Sequence, residues 1–179
     1  MKILKTILKI VVTLIAVVLI SALFVSKEFN YEQSVRINAP IDSVWEYTNS
    51  LNSLELWSPW NGYDPGMEKS FAGTDGTIGA QVSWESEHPS VGSGSQTIVK
   101  IVPPSLFETK LQFVLPYESE ATGKIKLHTE GTQTVVNWGF ESEMPYPFNL
   151  MKVFMNMEDA LGKDFQTGLN KLKSLCEEE

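Results

Sequence analysis

Leu150 to Cys176 reads LMKVFMNMEDALGKDFQTGLNKLKSLC. These 27 residues contain no proline, and Phe154, Met157, Leu161, Phe165, Leu169 and Leu172 recur at steps of three or four. That spacing places all six on one face of an α-helix about 40 Å long. Gly162 and Gly168 weaken its intrinsic propensity, so tertiary contact must hold it, and either glycine can mark a close approach to another element.

Working upstream, the period changes to two. Strands are predicted over Tyr31–Ile37, Glu68–Phe71, Ile78–Trp84, Gln96–Val102, Leu106–Phe113, Glu118–His128 and Thr132–Phe140. The turn material between the later strands is Gly73–Gly76, Pro89–Gly94, Pro103-Pro104, Pro116 and Glu130-Gly131. Such short connections suit an antiparallel meander rather than βαβ crossovers. Between the first two strands, Pro40–Tyr47 and Ser50–Leu56 read as short helices, the first burying Ile41, Val44 and Trp45. The fold class is α+β: a curved antiparallel sheet of six or seven strands covered by the C-terminal helix.

A helix lying across a bent sheet can leave an apolar hollow, the kind of place where small molecules bind. The final helix is rich in adaptable methionine (Met151, Met155 and Met157, with Met144 just before). Expected pocket residues are Trp57, Trp60, Trp84, Phe113, Met144, Phe154, Met157, Leu161 and Phe165. Trp57 and Trp60 flank Pro59 in a loop and suit an entrance. A movable rim around Trp57–Tyr63 or His88–Gly94 would admit the ligand.

The N-terminus is different in kind. Ile10 to Val25 is uncharged, and extension back to Ile3 gives 23 residues, about 34 Å of helix against a hydrocarbon core of roughly 30 Å. Lys5 and Lys9 lie near its start, where they can snorkel. Cleavage as a signal peptide prefers small residues at the cut, yet ending at Ala22 or Ser26 puts Ile20 or Phe24 two positions earlier. Residues 1–27 therefore read as an uncleaved transmembrane anchor and 28–179 as the folded domain. The preceding lysines predict a cytoplasmic N-terminus and a domain across the membrane.

Charge and composition exclude several chemistries. From Tyr31 onward there are 10 basic and 21 acidic residues, a net of 10 − 21 = −11, which argues against nucleic-acid binding. The lone cysteine, Cys176, cannot form an internal disulfide, and with only His88 and His128 no zinc site is expected. Neither a phosphate-binding glycine loop nor GxSxG is present, so no cofactor is expected. The candidates for proton transfer are His128, Tyr117 and Glu141.

Several motifs in order carry a resemblance: Arg36-Ile37-x-Ala39-Pro40 at the end of the first strand, with Val44-Trp45; Trp57-Ser58-Pro59-Trp60; the Gly73–Gly79 turn; Ser95-Gln96-Thr97 entering a strand that ends at Pro103-Pro104; and Asp164-Phe165-x-x-Gly168-Leu169-x-x-Leu172-Lys173. Over about Tyr31–Glu177 the chain resembles the START-like, or SRPBCC, superfamily of polyketide cyclase/dehydrase and lipid transport proteins. The resemblance implies a helix-grip fold with a hydrophobic cavity, binding lipids, sterols, polyketides or hormones, and in a minority of members catalysis. It implies no shared catalytic residues.

Three functions follow as expectations. The first is binding of a small hydrophobic ligand (lipid, isoprenoid or polyketide-like) at a membrane surface. An interaction or envelope-sensing module with a closed core is the alternative. A cyclase-type enzyme is the third.

Overall fold

The computed structural model describes residues 2–154 and 156–178. The first helix, α1 (Lys2–Ala22), carries exposed apolar side chains along almost its whole length. Strand β1 (Glu28–Ile37) is followed by α2 (Ile41–Glu46), α3 (Leu51–Glu55) and a 3-10 turn at Pro59–Gly62. Six strands then run without interruption by helix: β2 (Glu68–Ala72), β3 (Gln81–Glu85), β4 (Ser93–Val102), β5 (Leu106–Leu115), β6 (Ser119–Glu130) and β7 (Gln133–Glu143). A 3-10 turn at Phe148–Leu150, a short α4 (Met151–Phe154) and the long α5 (Met157–Glu177) complete the chain.

All seven strands form one antiparallel sheet in the order β1-β7-β6-β5-β4-β3-β2. The meander is thus consecutive except that β1 returns to pair with β7. Its register slips between Ile98 and Lys100 opposite β5, leaving Val99 as an extra residue; a bulge of this kind bends and twists a strand. The bend curls the sheet around α5. Strand β3 starts later than its sequence suggests, because the Ile78–Ala80 stretch is taken up by a turn in which Gly79 adopts φ 91° and its N–H donates to the Ile98 carbonyl.

The predicted helix Leu150–Cys176 is divided. Asn156, at φ −67° and ψ 62°, leaves helical geometry just before α5, so α4 and α5 are separate elements. Met155 lies outside the described residues. Downstream of the break the expected stripe holds: Phe165, Leu169 and Leu172 are fully buried against Ile37, Ile98, Ile125 and Val136. Helix α5 is pinned along β1 by hydrogen bonds from Gln33 Nε2 to Gln166 Oε1, from Lys173 Nζ to the Arg36 carbonyl, and from the Asn38 N–H to Glu177 Oε1. Cys176 is buried at the far end of this contact.

The opposite face of the sheet is wet and charge-paired. Arg36–Glu130, Lys126–Glu32, Lys124–Glu141 and Lys110–Glu120 are ion pairs at 2.6–3.1 Å. Cross-strand pairs of this sort favour the register, although exposed ones add little stability. The Arg36 and Lys110 side chains hold the Glu130 and Glu120 carboxyls below their usual values. The hydrogen bond to Glu141 raises Lys124.

The two glycines of α5 approach different neighbours. A β-carbon on Gly168 would lie 2.8 Å from Trp138 Cζ3 and 3.2 Å from Pro59 Cδ, both atoms of rigid rings. On Gly162 it would meet the Tyr31 hydroxyl at 2.7 Å, the far end of a side chain that can swing. Gly168→Ala is expected to lose about 1–3 kcal/mol to overpacking, more than the ~1 kcal/mol gained in helix propensity. Gly162→Ala is expected to stay within about 0.5 kcal/mol, because the two effects there are similar and opposed. Urea unfolding of both variants checks this; equal midpoints would refute the argument from rigid neighbours.

Candidate functional site

Between α5 and the concave face of the sheet lies a cavity of about 290 Å³. Its floor comes from alternate residues of neighbouring strands: Val82 and Trp84 on β3, Gln96 on β4, Leu111 and Phe113 on β5, Gly123 on β6, Trp138 and Phe140 on β7. Such alternation is what one face of a pleated sheet provides. Leu161 and Phe165 of α5 form the roof, and Leu51 and Leu54 of α3 close one side. Glycine shapes the floor at two points. At Gly94 a β-carbon would sit 2.8 Å from Trp84 Cζ2, and at Gly123 it would sit 3.2 Å from Leu111 Cδ1. The missing side chains leave space for the Trp84 ring and for the hollow above β6.

Of the nine residues expected to line a pocket, five meet there: Trp60, Trp84, Phe113, Leu161 and Phe165. Trp84 and Phe113 pack edge to face at 6.0 Å, while Trp60 meets both Trp138 at 5.6 Å and Phe165 at 6.2 Å. The other four lie elsewhere. Trp57 is wholly buried behind the wall, its Nε1–H donating to the Tyr47 carbonyl and its ring against Trp138 at 4.8 Å. The turn starting at Pro59 sends Trp60, not Trp57, toward the hollow. Met144 is half-buried at the end of β7, where its N–H donates to the Lys27 carbonyl. Phe154 is 80% exposed on α4, and Met157 opens α5 one turn before Leu161. The break at Asn156 takes Phe154 out of the helical stripe, whereas Met157 stays on α5, half-buried but outside the cavity lining.

The proton-transfer candidates do not line the cavity. His128 is on the outer sheet face, 3.4 Å from Glu130. Glu141 pairs with Lys124 there, and Tyr117 is 76% exposed in the β5–β6 connection. Among the described residues, no group of three or more His, Cys, Asp or Glu side chains is arranged to hold a metal ion.

Sequence reasoning missed the polar part of the wall. Lys69 of β2 forms an ion pair with Glu55 of α3 and donates to Asn61 Oδ1 at 2.5 Å, and Asn61 Nδ2 donates to the Glu55 carbonyl. All three residues line the cavity. A signal was present: Lys69 is the only basic residue between Arg36 and Lys100. Gln96 supplies a second polar point, its Nε2 donating to Thr109 Oγ1 at 2.9 Å.

The two loops expected to form a movable rim are joined to each other. Tyr63 stacks on His88 at 5.7 Å, and Ser86 Oγ donates to the Asp64 carboxylate. The Tyr63 hydroxyl donates to Asp164 Oδ1 on α5 at 2.5 Å. That carboxylate partner raises the Tyr63 hydroxyl above its ordinary value, and the bond from Ser86 lowers Asp64. Trp60, Asn61, Ser90 and Val91 on these loops line the hollow. The rim is therefore latched by polar contacts rather than by packed core.

An open antiparallel sheet curled round one C-terminal helix above an apolar hollow defines a helix-grip protein. The chain belongs to the family described as Polyketide cyclase / dehydrase and lipid transport, whose model matches residues 28–177. Among solved structures it is similar to a Chromobacterium violaceum protein (14% identity, TM-score 0.58, 83% of this chain and 96% of that one). It is similar also to the di-domain ARO/CYC StfQ of the steffimycin biosynthetic pathway (12%, TM-score 0.62, 84% and 51%) and the Aha1 dimer from Colwellia psychrerythraea (15%, TM-score 0.53, 83% and 96%). At such identities the likeness is one of fold. The sequence matches no curated protein.

Proposed function

We propose that this chain binds a small hydrophobic molecule (an acyl lipid, an isoprenoid or a polyketide-like compound) in the cavity between sheet and α5, at a membrane surface. The observation that carries the reading is the cavity itself: about 290 Å³, walled mainly by Leu, Val, Trp and Phe side chains, with Lys69–Glu55–Asn61 and Gln96 as its polar points. Binding comes from removing apolar ligand surface from water, and the polar points fix orientation. The cluster is a charge-balanced one, so it suits a neutral polar head group better than a bare ionic one.

Residues 1–27 act as a single-pass anchor and 28–179 as the ligand domain. Ile3–Ala22 is long and apolar enough to cross a bilayer, with a mean hydropathy of 2.6. Asn149 supports retention of this helix in the mature protein. Its Nδ2 donates to the Ala22 carbonyl at the end of α1 and to the Val25 carbonyl just beyond it, at 2.8 and 2.7 Å, tying the helix end to the domain. The antiparallel order supports a location beside lipid as well. Strands β3, β5 and β7 all end on the side where β1 begins, so Trp84, Phe113 and Phe140 gather near the α1 end of the domain. The lysines of the leader favour a cytoplasmic N-terminus with the domain across the membrane.

The test is native mass spectrometry of the full chain in nanodiscs, with solvent extraction of whatever travels with it. A single hydrophobic species near one per chain is expected. Empty protein that also refuses fatty acids, isoprenoids and aromatic dyes would overturn the reading.

A further inference from the structure

We propose that Tyr146–Phe154 is a membrane-interface element: locked to the end of α1, it beds into the lipid headgroup region and gives the domain a fixed stance on the bilayer. The inference rests on the reading of α1 as a transmembrane span, and goes beyond it by assigning a second lipid-contacting segment 124 or more residues away in sequence.

The contacts are specific. The Tyr146 hydroxyl donates to the Leu19 carbonyl at 3.2 Å, Asn149 binds the Ala22 and Val25 carbonyls, and Lys152 Nζ donates to the Glu28 carbonyl at 2.5 Å. Asn149 and Ala22 are each 1% exposed, so the junction is a packed joint. The 20-residue span Ile3–Ala22 is about 30 Å long as a helix, the thickness of the hydrocarbon core. Leu19 then lies just inside the boundary and Ala22 at it. Whatever is fastened to those two carbonyls is held at headgroup depth.

The side chains at that depth suit lipid. Phe148, Val153 and Phe154 are 61%, 62% and 80% exposed, and Leu23 and Phe24 beside them are 69% and 85% exposed. In an otherwise acidic domain, no acidic residue occurs between Glu143 and Glu158, and the one charge in that stretch is Lys152. Tyrosine at the boundary, apolar groups around it and lysine at the edge are what an interfacial segment uses. The continuity with α1 commits this patch to a bilayer rather than to a second copy or another protein, because the lipid is already at its edge. Leu161, in the cavity roof, is one turn beyond the start of α5, so the same stance holds the ligand site close to the bilayer.

The test uses the full chain in vesicles of phosphatidylcholine and phosphatidylglycerol, with Cys176→Ala and a single spin label at Leu14→Cys, Phe154→Cys or Thr132→Cys. Label collision with oxygen (lipid-soluble) is compared with collision with a nickel chelate (water-soluble). Leu14 should report lipid, Thr132 on the β6–β7 turn should report water, and Phe154 should fall between them on the lipid side. A Phe154 label as water-exposed as Thr132, with Leu14 still in lipid, overturns this inference and leaves the span intact. Leu14 in water overturns both. Spin–spin broadening at Phe154 would mean that a second copy covers the patch, which also overturns it. In the chain with its native cysteine, Phe154→Asp should speed trypsin cleavage after Lys152 in the same vesicles by about tenfold, since cleavage follows the population of the open segment; equal rates would count against the proposal.

Discussion

Phe165→Ala should lower the unfolding free energy by about 3–5 kcal/mol, the usual loss for truncating a buried Phe. The side chain is 1% exposed and is the junction of the aromatic core. It stacks on Trp138 at 4.0 Å with the rings 19° apart, and meets Tyr31 and Trp60 edge to face at 5.4 and 6.2 Å. Collapse to fill the gap is hindered because Gly168, one turn on, already has the helix against Trp138 and Pro59. Typical domains hold only about 5–15 kcal/mol in reserve, so the loss is a large share of the whole. Urea unfolding followed by tryptophan emission should show a lower midpoint with an unchanged slope. Phe165→Leu, which keeps most of the volume, should recover more than half of the difference. A loss below about 1 kcal/mol for the alanine variant would mean that Phe165 lines the cavity without being the packing junction of the aromatic core.

Phe165 also shows what kind of information the sequence carries. Its place on the helical stripe with Leu169 and Leu172 was legible from steps of three and four, because one buried face repeats with the helix period. The turn residues between strands likewise announce an antiparallel meander, while the strand parity that turns Trp84 and Phe113 toward the cavity is supplied by the structure. What was not legible depends on contacts between distant segments. No proline or glycine marks Asn156, so the sequence pattern runs straight through it and puts Phe154 on a stripe that it leaves in the structure, where it is exposed on α4. Upstream of the break Asn149 closes on the end of α1, a contact between residues 124 and 127 positions apart that no local pattern records. Trp57 and Trp60 lie on opposite sides of Pro59, and composition alone does not say which one the turn aims at the hollow and which it buries in the core. The Lys69–Glu55–Asn61 group joins a strand, a helix and a turn, so no local pattern announces it.

Leu111→Trp is the sharpest test of the cavity, because it alters occupancy with little change to the fold. Leu111 sits mid-sheet on β5, opposite Gln96 on β4 and Ala121 on β6, with Gly123 beside its methyl group. The strands on both sides fix its backbone, so an added indole has no route except upward into the hollow. Tryptophan is well suited to a strand, and the ring enters space rather than displacing packed atoms. Uptake of phenylnaphthylamine by the full chain in nanodiscs, measured against empty discs, should fall at least about tenfold, equivalent to 1.4 kcal/mol or more of lost binding. The unfolding midpoint should stay close to that of the parent chain. Normal uptake at a normal midpoint would place the dye outside this cavity and sink the site. If the midpoint drops, the indole has been forced into the core, and Val91→Phe on the rim gives the same blockade from a loop that can yield. Loss of uptake in that second variant, with stability kept, would locate binding between α5 and the sheet independently of any change in the floor.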